Sequence, residues 1–193
     1  MRRCARLLAV LPLLGGLYSL PAWSAGKPPA GLPATGTVEV LFSPWDDVEG
    51  SLIAAIDATK RTLHVQAYLL TSRNIANALL RAHERGVRVE VLADAETTRR
   101  GESSKVPALA EAGIPVWLEM RYANAHNKVM LIDAEGRHPA VITGSYNYTW
   151  SAQARNAENL LILRDNRALA KTYLNNWQRH RREAEPYAVS DGK

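Results

Sequence analysis

The stretch LHVQAYLLTSRNIANALLRAHERGVRVEV, residues 63–91, holds two strand patterns around one helix pattern. Leu63 to Leu70 is short and mostly apolar, with Thr62, His64, Gln66 and Tyr68 falling on one face, and that alternation predicts a strand. Ile75, Ala78, Leu79 and Ala82 recur at helical spacing and stop at Gly86, a residue suited to the left-handed close of a helix. Val87, Val89 and Val91 then alternate with Arg88 and Glu90, which predicts a second strand.

The same alternation extends outward. Upstream, Val38 to Phe42 reads as a strand, and Val48, Leu52, Ala55, Ile56 and Thr59 mark a helix behind a cap at Asp46 or Asp47. Downstream, Val106, Leu109 and Ala110 suggest a helix stopped by Gly113, followed by a strand over Ile114 to Leu118. Three further strands are expected near Asn127 to Ile132, Ala140 to Thr143 and Asn159 to Leu163. A last helix carries the apolar stripe Leu169, Ala170, Tyr173, Leu174 and Trp177, and it ends in Arg179, Arg181 and Arg182. The expected fold is a single α/β domain, a mixed β-sheet flanked by helices on both faces.

A length of 193 residues suits one domain, and 47% hydrophobic with 22% charged residues excludes disordered, collagenous and multi-span membrane chains. Residues 1–25 have the order of an export signal: Arg2, Arg3 and Arg6, an apolar run from Leu7 to Tyr18, then small residues Ala22, Ser24 and Ala25. The run is shorter than the roughly 20 residues that span a bilayer, so no stable membrane insertion is expected after cleavage, and the product would be periplasmic or secreted. Residues 26–36, rich in Pro and Gly, read as a flexible lead-in, 37–185 as the domain and 186–193 as a tail. The formal net charge of +5 falls to +2 once the three signal arginines are gone, so charge does not identify a partner. Cys4 also leaves with the signal, and the mature chain can form no disulfide.

The candidate chemistry lies between residues 126 and 159. In an extended segment residues i and i+2 share a face, which places His126 beside Lys128 and Ser145 beside Asn147, with Asp133 facing away from His126. Gly144 removes a side chain where a substrate would approach the backbone. An imidazole, an ammonium, a hydroxyl and an amide together suit an anion.

His126 to Asp133 fits H-x-K-x4-D and Gly144 to Asn147 fits G-S-x-N. The pair, in this order and followed by Asn156-Ala-Glu-Asn159, resembles the signature of the phospholipase D superfamily, and most of all its small exported bacterial endonucleases. The likeness runs from about Val38 to Trp177. The spacer from Asp133 to Gly144 is a few residues longer than the family pattern, which implies a longer hairpin around Glu135 to Pro139. The resemblance implies that His126 attacks phosphorus to give a phosphohistidine while a second histidine protonates the leaving oxygen. One ring must be neutral and the other protonated, which gives a bell-shaped pH dependence. Lys128, Asn147 and Ser145 would bind the non-bridging oxygens, and Glu158 would accept the other ring N–H of His126. Asp133 and Gly144 would be structural. His64, His83, His138 and His180 lack a lysine two places on, so the second histidine is expected from another subunit of a homodimer.

Taken singly, these residues have ordinary readings. Lys128 would be a solvated charge, Ser145 and Asn147 turn formers, and Glu158 a strand-edge acid. His64 is expected to pack within its sheet, and His83 and His180 to be solvated. Tyr146, Tyr148 and Trp150 alternate opposite to Ser145 and Asn147 and are expected in the core, with dimer contacts as the alternative, more than as base-stacking platforms. Arg99, Arg100 and Lys105 fall in a polar stretch that either contacts phosphates or is a solvated loop. No spacing matches a compact zinc motif, and neither metal nor cofactor is expected. The expected function is metal-independent cleavage of nucleic acid. The alternative is a phospholipase D or phosphatidyl transferase using the same residues on lipid headgroups. No long apolar loop flanks His126 or Ser145, which weighs against lipid.

Overall fold

A computed structural model describes residues 31–101 and 103–188. All but one of the helices among the described residues begin where a polar side chain takes up an orphan backbone N–H. Asp47 caps α1 (Val48–Ala58), Ser72 caps α2 (Arg73–Glu84), Asp94 caps α3 (Ala95–Arg100), Thr149 caps α5 (Trp150–Ala154) and Asn166 caps α6 (Arg167–Glu183), while α4 (Val106–Glu111) has proline in its first turn instead. Gly86 and Gly113 follow α2 and α4 at φ 84° and 88°, the left-handed conformation glycine adopts without strain.

The strands are β1 (Thr37–Ser43), β2 (Thr62–Ala67), β3 (Arg88–Asp94), β4 (Val116–Glu119), β5 (Lys128–Ile132), β6 (Ala140–Gly144), β7 (Glu158–Arg164) and β8 (Glu185–Pro186). They form one mixed sheet in the order β1-β7-β6-β5-β2-β3-β4-β8. Only β2-β3 and β3-β4 are parallel; the other pairs are antiparallel. One face packs under α1, α2 and α4 through Leu52, Ile56, Ile75, Leu79 and Leu109 against Leu63, Val65, Met130 and Ile142. The other face is covered by α6, whose Ala170, Leu174 and Trp177 pack on Leu92, Trp117, Val129, Leu131 and Val141. Helices therefore lie on both faces of a mixed sheet, as the alternating pattern implies.

The differences from the sequence reading are local. β2 stops at Ala67 instead of Leu70, because Tyr68 leaves the sheet and donates its N–H to Asn127 O, at 3.0 Å. α3 and α5 are short helices inside stretches without a long apolar period, and α3 takes up Arg99 and Arg100. Tyr146 and Tyr148 are fully buried, but Trp150 is 59% exposed, since the alternation ends at the Thr149 cap. The domain runs past residue 185. β8 pairs with β4, and Tyr187 N–H bonds Val116 O. In the lead-in, the Pro33 carbonyl is held by Asn166 Nδ2 at 2.8 Å. The expected export signal lies outside the described residues.

Candidate active site

Antiparallel pairing places the C-terminal end of β6 between the N-terminal ends of β5 and β7. Gly144, Lys128 and Glu158 thereby meet at one end of the sheet, with the His126 loop and the Ser145–Asn147 segment above them. Motifs distant in sequence converge because the strands that carry them are neighbours.

His126 is exposed at the rim, whereas Lys128 is 4% exposed. Lys128 Nζ lies 2.7 Å from His126 Nδ1 and 3.3 Å from Nε2, and it donates to His126 O at 2.9 Å. Burial pushes the Lys128 ammonium below the usual lysine range, and the nearby Glu158 charge partly opposes that shift. The result is a desolvated cation against an imidazole, a strong site for an anionic oxygen.

Ser145 Oγ accepts from Asn159 N–H at 3.1 Å and lies 3.3 Å from Asn159 Nδ2. Asn147 has a buried Oδ1 that meets no donor. Glu158 departs from its expected role. Its Oε1 accepts from Asn156 Nδ2 at 2.9 Å and makes no bond to His126, so within one chain its charge acts on Lys128. Gly144 departs as well. A Cβ there would stand 2.2 Å from Asn159 O, so the missing side chain makes room for the β7 backbone and not for substrate.

Asp133 stands at the far end of β5. Its carboxylate accepts from Lys60 N–H (3.0 Å), Arg61 N–H (2.7 Å) and Thr62 N–H (2.9 Å), and its own N–H bonds Thr62 O. The long β5–β6 hairpin lies at that same end, where Gly136 N–H closes on Asp133 O, away from His126.

Two residues that sequence reasoning missed hold the His126 loop. The Tyr68 ring packs on the imidazole with centroids 4.3 Å apart, and its hydroxyl donates to Asn124 Oδ1 at 3.2 Å. Asp94, buried at the end of β3, accepts from Thr97 N–H through one oxygen and from Ala125 N–H through the other, both at 2.8 Å. The D-A-E-T capping pattern after a strand signals the first bond, but nothing local signals the second. His180 is a further correction. Its Nδ1 lies 2.5 Å from Glu119 Oε1 and its side chain is 14% exposed, because the last turn of α6 packs on β4. His83 is half-buried instead of solvated, and His64 packs against Trp177 and bonds Glu90 at 3.2 Å. Among the described residues no group of three His, Cys, Asp or Glu side chains could hold a metal ion.

This fold, with H-x-K and G-S-x-N meeting at one sheet end, defines the phospholipase D superfamily, and the chain belongs to it. Residues 52–181 match the family model described as cardiolipin synthase, PLD-like domain. The phospholipase D of Rickettsia prowazekii is 37% identical over 140 residues, covering 72% of this chain and 65% of that protein. The mitochondrial cardiolipin hydrolase of Xenopus tropicalis is 30% identical over 141 residues, covering 73% and 64%. The chain thus spans somewhat less than two thirds of the length of these relatives. Among solved structures, Nuc from Salmonella typhimurium, a phospholipase D family member, superposes with TM-score 0.73 at 30% identity, covering 78% of this chain and 97% of that one.

Proposed function

We propose that this chain is a metal-independent phosphodiesterase that cleaves nucleic acid as a homodimer, with one composite site per pair. The observation that carries the reading is the desolvated Lys128 ammonium against His126, beside Ser145, Asn147 and Glu158. A phosphate entering the site draws the ammonium onto a non-bridging oxygen and frees the ring nitrogen it had engaged. That nitrogen attacks phosphorus, a P–N bond forms, and the P–O bond to the leaving group breaks. The leaving oxygen takes a proton from the imidazolium of the second copy's His126, which then deprotonates the water that hydrolyses the phosphohistidine. Lys128 and the Asn147 amide stabilise the charge on phosphorus oxygens, as a metal ion would in other hydrolases.

Two features support a second copy. The chain has one H-x-K, and the mechanism needs two histidines. The edge strand β1 also exposes Val38, Val40 and Phe42 along one face, at 59%, 48% and 48%, an apolar strip that a symmetric partner would cover. Export rests on the arginine-flanked apolar run of residues 1–25.

Lipid headgroups are the second reading. The structure gives it an observation the sequence did not, since Phe42 and Trp45 are exposed and Phe42 pairs with Asn159 beside Ser145. Plasmid DNA, an RNA oligonucleotide and phospholipid vesicles, each incubated with excess chelator, separate the readings. Nicking that persists in chelator and vanishes in His126→Ala is expected. Vesicle hydrolysis without nicking supports the lipid reading, and turnover restored only by a divalent ion overturns metal independence.

A further inference from the structure

Trp150 stands at the first position of α5, three residues after Asn147, and is 59% exposed. Its indole lines a cleft of about 280 Å³ together with Thr71, Ser72, Arg73, Asn74, Lys105 and Glu49. Such a volume is near the lower end of ligand sites, roughly 300 Å³. The cleft is joined to the motif loop, because Thr71 and Ser72 donate their N–H groups to Tyr148 O, both at 2.9 Å.

The charges of the cleft favour an anion. Among the described residues, neither Arg73 nor Lys105 has a carboxylate within ion-pair distance. Among the described residues Glu49 is the one carboxylate in the lining, and it is engaged by Ser72 Oγ and by Asn74 Nδ2. The Arg155 guanidinium, which is not part of the lining, stands over the indole ring at 4.9 Å and leaves its second face uncovered by that cation. An exposed indole beside two cations, three residues along the chain from Asn147, suits a base with its phosphate better than a fatty acyl chain.

We propose that this cleft is the subsite for the nucleotide flanking the scissile phosphate, with its base stacked on Trp150 and its phosphate between Arg73 and Lys105. The inference rests on the nucleic-acid reading of the site. Stacking needs a base outside a duplex, so the subsite selects single-stranded segments.

The test compares KM for a single-stranded oligonucleotide with KM for the same strand carrying an abasic site beside the cleaved bond. The full-length wild type should prefer the intact strand by about tenfold. Trp150→Ala should bring that ratio near one, and Trp150→Phe should restore most of it. Arg73→Gln with Lys105→Gln should flatten the dependence of log KM on log salt by about 1.4. If a variant fails to fold, a fluorescent purine at the flanking position in wild-type complexes reports instead, and quenching on binding is expected.

Equal KM for intact and abasic strands in a wild type that cleaves both overturns the subsite and leaves the nuclease reading standing. A wild type that cleaves no oligonucleotide overturns the nuclease reading and the subsite with it. Binding to anionic vesicles that is lost in Trp150→Ala, with an unchanged oligonucleotide ratio, reassigns the cleft to lipid and overturns the proposal.

Discussion

Replacing Asp133 by alanine removes one carboxylate and strands three backbone donors. The Thr62 N–H, part-buried at 2.9 Å, loses a charge-assisted bond worth about 1.5–3 kcal/mol. The Lys60 and Arg61 N–H groups are exposed, so water replaces much of their bonding and each contributes about 0.5 kcal/mol. Asp133 also sits at φ 46°, where alanine is disfavoured by about 1 kcal/mol. The sum is about 3.5–5 kcal/mol. For a domain of this size that lowers Tm by roughly 10 °C in calorimetry. Asp133→Asn keeps an acceptor and tolerates the left-handed backbone, so its loss should be near one third of that. Asp133 lies five residues beyond Lys128 along β5, roughly 17 Å at about 3.3 Å per residue, so kcat per folded chain at low temperature should stay within about threefold of wild type. A Tm within about 2 °C of wild type refutes the anchoring argument. A tenfold fall in kcat at unchanged Tm refutes the assignment of Asp133 to structure alone.

Other outcomes follow from the same geometry. Lys128→Met should abolish turnover yet raise Tm, because a cation whose proton affinity burial lowers is destabilising at neutral pH; a lower Tm contradicts this. The His64 hydrogen bond holds the Glu90 carboxyl below its ordinary 4.5. Its contribution to stability is therefore complete above that pH and is lost as pH falls through the depressed value. Glu90→Gln should flatten acid unfolding below about pH 4.5, measured by circular dichroism. Equal mixing of His126→Ala with wild type, followed by reassortment, should lower activity per wild-type chain by about half, and undiminished activity places a complete site within one subunit.

The strand and helix order was legible because each element carries its own period and its own stop. Asp47, Gly86 and Gly113 stand where the local chemistry requires a cap or a left-handed turn. The motif residues were legible as a set, since His126, Lys128, Ser145, Asn147 and Glu158 all lie beside the ends of three neighbouring strands. What stayed hidden depends on contacts between distant segments. Asp94 reaches Ala125, Tyr68 packs on His126, and His180 meets Glu119, and none of these pairs has a sequence spacing that marks it. Gly144 shows the limit most clearly. Its position suggested room for substrate, but the space belongs to the Asn159 carbonyl across the β6–β7 pair. Trp150 was misplaced for a local reason, because one capping threonine ended the alternation from which its burial was inferred.

The central claim is that His126 bonds to phosphorus during turnover. Acid-free quenching of the wild type with a 5′-labelled oligonucleotide, followed by peptide mass spectrometry, tests it directly. The expected result is a nucleotidyl adduct on the peptide containing His126, acid-labile and stable to base, absent from His126→Ala and accumulating to at most about one per dimer. Label on another residue, or rapid turnover with no adduct at any time, contradicts the account.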